Sequence, residues 1–131
     1  MEIYLFAAAV RALVFFDETV ARRIRAALRA TSGVTERRMF GGLAFLSDGP
    51  MCCGIVGYDL KLRVGPVECD AVLRKRHVRP MDFTGRPPKG FVYVSPPAFR
   101  TEPSLRQWLR RAVRFVRHQP RSRKSDRRIR R

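Results

Sequence analysis

The sequence predicts an α+β domain in which an antiparallel sheet of about five strands is flanked by helices. Three observations predict it. Apolar residues recur at helical spacing near both ends of the chain, in 18–31 and 101–119. Between them lie short apolar runs separated by glycine, proline and aspartate turns. The length of 131 residues suits one domain with one core.

The elements follow in order. Asp17 is placed to cap a helix with Glu18 in its first turn, and Val20, Ile24, Ala27 and Leu28 make its apolar stripe. Gly33 stands as its stop signal. Val34–Arg38 then reads as a lead-in to a three-stranded meander of Met39–Leu46, Met51–Val56 and Leu60–Val64. Ser47-Asp48-Gly49-Pro50 and Gly57-Tyr58-Asp59 form its turns. In the third strand Leu60, Leu62 and Val64 alternate with Lys61 and Arg63, the period of a strand with one wet face. Pro66 opens a short helix that runs to about Lys75. A strand is expected around Met81-Asp82-Phe83 and another at Phe91–Val94, the latter ended by Pro96-Pro97. Thr101 caps the last helix, and Leu105, Trp108, Leu109, Ala112, Val113 and Val116 form its apolar stripe. The order is one helix, three strands, a helix, two strands and a helix, with meander connections that make the sheet antiparallel.

Charge is the second strong signal. The formal net charge is +17. Residues 1–100 hold 16 basic and 9 acidic residues, whereas 101–131 hold 12 and 2, so most of the excess sits in the last quarter. That asymmetry points to an anionic partner, most simply DNA or RNA bound without sequence preference. The candidate contacts are Arg106, Arg110, Arg111, Arg114 and Arg117 on the last helix and Arg121, Arg123, Lys124, Arg127 and Arg128 beyond it. The bland alternative is a solvated helix face and a solubilising end. From Pro120 the apolar pattern stops, so 120–131 reads as a basic disordered tail.

The three cysteines, Cys52, Cys53 and Cys69, form no disulfide framework, and a reducing cytoplasm is the expected compartment. Their spacing with His77 matches no standard zinc site, so no metal and no cofactor are expected. On a regular strand Cys52 and Cys53 point to opposite faces, which would leave one of them exposed, yet buried, inert thiols are expected because free Cys is among the most buried residue types. Pairing of Cys52 or Cys53 with His77 is the one conceivable nucleophile dyad, and no residue is in place to orient it. The chain is therefore expected to be non-enzymatic. Residues 1–15 read as an apolar extension, either a helix packed on the domain or a start-site artefact, too short for a membrane span and without the basic start of a signal peptide.

The runs Val34-Thr35-Glu36-Arg37-Arg38-Met39-Phe40-Gly41-Gly42-Leu43-Ala44-Phe45, Met51-Cys52-Cys53-Gly54 and Leu62-Arg63-Val64-Gly65-Pro66 are distinctive. So is Arg79-Pro80-Met81-Asp82-Phe83-Thr84-Gly85-Arg86 with Lys89-Gly90-Phe91-Val92-Tyr93-Val94. Together, across 16–119, they resemble the N-terminal domain of the TfoX/Sxy competence regulators. The resemblance implies an α+β fold with an antiparallel sheet. It also implies a role in regulating natural transformation, where such proteins act as co-activators with the cyclic-AMP receptor protein. Full-length members carry a second C-terminal domain, whereas here a basic tail follows the helix. A protein partner, a transcription factor or polymerase component, is implied in the same way.

Within the motif segments Arg38, Arg63, Asp82 and Lys89 are the polar candidates. One reading gathers them around a ligand pocket beside Gly41, Gly42 and Gly90. The other makes them structural ion pairs, Asp82 with Arg38 or Arg63. The loop 85–90 carries two cations but lacks the P-loop pattern. A homodimerisation module is the remaining alternative.

Overall fold

The computed structural model describes residues 16–39, 41–81 and 90–119. The Asp17 carboxylate accepts a hydrogen bond from the Val20 amide at 3.1 Å and starts helix α1, Glu18–Ala27. Val20, Ala21 and Ile24 are buried on one side of it. Leu28, not Gly33, is its C-cap, because the Leu28 amide still bonds Ile24 while the chain beyond turns towards the sheet.

Six strands follow: β1 Val34–Met39, β2 Gly42–Ser47, β3 Met51–Val56, β4 Asp59–Arg63, β5 Val78–Pro80 and β6 Phe91–Val94. They form one antiparallel sheet in the order β1-β2-β3-β4-β6-β5. The expected lead-in is a strand of its own, since Gly41 takes a left-handed turn and β1 folds back along all of β2. This raises the strand count from about five to six. Val78–Pro80 makes the strand paired with β6, with Val78, Arg79 and Pro80 opposite Val94, Tyr93 and Val92, while Asp82 and Phe83 of the strand expected around Met81 lie outside the described residues.

Across the middle of the sheet, Leu43 faces Ile55, Ile55 faces Leu60, and Leu62 lies between Cys53 and Val92. These side chains belong to the one buried apolar cluster, which α1 and the last helix cover. The other face is not the open polar surface that alternation predicts. Lys61 is 1% exposed, standing between Gly54 and Tyr93 in the ladder. Burial pushes its ammonium below the ordinary lysine pKa.

Helix α2, Pro66–Leu73, buries Cys69 and Val72. Gly65 precedes it at φ 87 and ψ 155, a conformation open essentially to glycine alone. A Cβ there would also overlap the Phe115 ring. A 3₁₀ turn, Pro96–Phe99, leads from β6 into helix α3, Glu102–His118. Thr101 caps α3 through the Ser104 amide at 3.2 Å, as its sequence predicts. Arg23 of α1 holds this corner. Its guanidinium donates to the Phe99, Arg100 and Thr101 carbonyls at 2.7, 3.2 and 3.4 Å and pairs with Glu102 at 2.9 Å.

Replacing Gly65 by Ala will lower the unfolding free energy by about 1–3 kcal/mol, read from urea denaturation. Lys61 binds its proton less tightly folded than unfolded. Its contribution to stability therefore rises with pH from the lowered pKa up to about 10.4. Urea midpoints measured across that alkaline range will show the rise in the wild type and a flatter profile in Lys61→Met.

Candidate anion-binding cleft

Helix α3 is amphipathic along its whole length. Leu105, Leu109, Ala112 and Val116 are buried against the sheet and α1. Arg106, Arg110 and Arg114 stand four residues apart on an exposed stripe, so their Cα atoms rise about 6 Å per step. Arg117 continues that stripe by one further turn.

This stripe lies along a cleft of about 230 Å³ between α3 and the end of α1. Ala27 and Leu28 of α1 and Leu109 and Val113 of α3 make an apolar floor, with Thr31 at one end. Arg106, Arg110, Arg114, Arg117 and His118 line the rest, and no carboxylate among the described residues does. Among the described residues Arg106, Arg110 and Arg114 enter no ion pair. Arg117 is held: it donates to the Ser32 carbonyl at 2.7 Å and reaches the Ser47 hydroxyl at 3.5 Å. His118 Nδ1 lies 2.7 Å from the Arg114 carbonyl. Four guanidinium groups around a concave surface make a site for phosphates or carboxylates, which they can grip bidentately.

Arg111 is turned away from the cleft. It pairs with Glu68 of α2 at 3.0 Å and lies 5.9 Å from the Trp108 ring centroid. Arg121, Arg123, Lys124, Arg127 and Arg128 lie outside the described residues. Ala27, Leu28 and Thr31 are the part of the cleft that sequence reasoning missed. Leu28 carried a signal, as the last apolar residue of the α1 stripe, but nothing local ties it to α3.

The polar motif residues are placed differently. Arg38 is exposed on edge strand β1, 5.3 Å from the Phe16 ring centroid. Arg63 lies 5.8 Å from the Phe91 ring and 5.6 Å from the Phe115 ring. Their strands are separated by β2 and β3, about 14 Å at the usual strand spacing. Asp82 and Lys89 lie outside the described residues, as does most of the loop 85–90.

The cysteines depart from simple alternation. Phe45 faces Cys53 while Leu46 faces Met51, so Cys52 is the extra residue of a β-bulge. Both thiols are therefore buried in the core, as expected of free cysteines, with their sulfurs 3.8 Å apart. Cys52 donates to the Phe45 carbonyl at 3.4 Å. Cys53 is pushed well above its ordinary pKa, first by its hydrogen bond with Cys52 and then by burial. His77 is exposed in a left-handed turn before β5, and no hydrogen bond joins it to either thiol. No group of His, Cys, Asp or Glu among the described residues is arranged to hold a metal ion. No helix among them is long and apolar enough to cross a membrane.

Native protein at neutral pH will therefore leave all three thiols unreacted with Ellman's reagent over minutes, and denaturant will release three equivalents. Prompt reaction of two thiols in the native state would contradict the buried placement of the bulge.

The family model of the TfoX N-terminal domain covers residues 26–116, from the last turns of α1 to the last turn of α3. No curated protein and no solved structure matches the chain.

Proposed function

The chain belongs to the TfoX N-terminal domain family, and we propose that it is a non-enzymatic regulatory domain that binds nucleic acid without sequence preference through the α3 arginines. The observation that carries this reading is the cleft of four arginines with no carboxylate among the described residues on its lining. Three of those arginines have no ion-pair partner among the described residues, so an incoming phosphate displaces only counterions. The basic run in 120–131 adds charge in continuity with the end of α3. Such a domain works as an accessory: it raises local concentration on nucleic acid while a protein contact supplies selectivity. The resemblance to competence regulators supports a transcription factor or polymerase component as that protein partner, in the cytoplasm.

Salt dependence tests the reading directly. The logarithm of duplex affinity falls with the logarithm of salt by about 0.9 for each phosphate neutralised. Fluorescence anisotropy across 50–300 mM salt should give a slope for the full chain that becomes shallower by about 2.7 in Arg106→Ala/Arg110→Ala/Arg114→Ala. An unchanged slope in that variant would remove the α3 stripe from the interface. Unchanged binding when 120–131 is also deleted would end the nucleic-acid reading.

A further inference from the structure

We propose that the α1–α3 cleft selects single-stranded nucleic acid, seating an unstacked base on its apolar floor while the arginine rim takes the flanking phosphates. This rests on the nucleic-acid reading above and goes beyond it, because the arginine stripe alone does not distinguish a strand from a duplex.

The selectivity comes from the floor. Half-buried Ala27 and Val113 present aliphatic surface at the bottom of a concavity of about 230 Å³, backed by the buried Leu28 and Leu109. A duplex turns its charged backbone outward and keeps its base faces stacked inside, so it offers this floor nothing apolar to cover it. A single strand offers both parts at once: phosphates on a flexible backbone, and bases whose faces are free. No Phe, Tyr or Trp among the described residues lines the cleft, so the planar groups available for stacking are the His118 imidazole and the guanidinium groups of Arg106, Arg110 and Arg114. Arg117 is fixed by Ser32 and Ser47 and closes one end of the rim without paying for ordering on binding.

The rim also fits a strand that bends to follow it. Successive arginines advance by about 6 Å along α3, and a single-stranded backbone can adjust its phosphate spacing to that step. Thr31 brings a hydroxyl to the α1 end of the cleft, within the lining that a base edge would meet.

The test uses the full chain and two fluorescein-labelled probes, a twelve-nucleotide oligothymidylate and a duplex of twelve base pairs, in anisotropy titrations at fixed salt. The wild type is expected to bind the single strand about tenfold more tightly. Ala27→Leu fills the floor and Thr31→Leu narrows the cleft at its α1 end, neither touching a charge. Both should lose the preference while duplex binding and its salt slope stay as in the wild type, with unchanged thermal unfolding as the check on folding. Having two independent variants keeps the test open if one of them fails to fold. Equal affinity of the wild type for both probes, or a preference that survives a filled floor, overturns the proposal and leaves the salt-dependent reading standing. Failure of both probes to bind defeats that broader reading too. Displacement of the single strand by polyglutamate of equal charge would also overturn it, and would assign the cleft to an acidic protein segment.

Discussion

The arginine stripe and the cleft beside it depend on how α3 is seated. Leu105, Leu109, Ala112 and Val116 lie flat against β3, β4 and α1, and each is 5% exposed or less. Removing one such leucine from a close-packed core typically costs about 2–5 kcal/mol. That seam fixes the rotation of the helix about its own axis, and a rigid helix has no freedom left to choose where its other side points. Arg106, Arg110 and Arg114 face outward because Leu105 and Leu109 face inward. Arg23 fixes the other degree of freedom by tying the start of α3 to α1 through three carbonyls and Glu102. The Trp108 indole adds a bond to the Ala98 carbonyl at 3.1 Å.

The same seating decides which arginines are available. On one flank of α3, Arg111 is neutralised by Glu68, and Arg23 by Glu102 at the helix start. These exposed and half-exposed pairs add little stability individually, but they consume charge locally. On the other flank the cleft holds four arginines, with no acid among the described residues on its lining. Guanidinium groups crowded in this way repel one another, a cost that an anionic partner relieves. The chain thus separates its arginines into two kinds, those that close the fold and those left open to solvent.

The β-bulge at Cys52 shows the sheet solving a packing problem. Regular alternation would place one of two adjacent thiols on the far face. The extra residue lets both enter the core beneath the end of α3, and Cys52 satisfies its thiol on the Phe45 carbonyl. Gly54, two residues on from Cys52, allows close strand approach, since a Cβ there would press on the Leu43 carbonyl. No buried side-chain nitrogen or oxygen among the described residues is left without a partner.

Sequence by itself determined the class, the helix caps at Asp17 and Thr101, the apolar stripe of α3 and the concentration of charge after residue 100. These were legible because they are local: a cap involves three neighbouring residues, and a stripe repeats every turn. The motif runs likewise carried the family, since their order and spacing lie in the chain itself. Tertiary structure alone decided the rest. Alternation could not reveal that Lys61 is buried, because its surroundings come from other strands. No spacing announced the bulge that brings Cys52 inward, for it depends on the register with Phe45. Above all, the cleft joins Ala27, Leu28 and Thr31 to residues about eighty positions later in the chain. The arginines were visible as a charged face, but a concave floor exists only where two helices meet, and that meeting is set by the core beneath them.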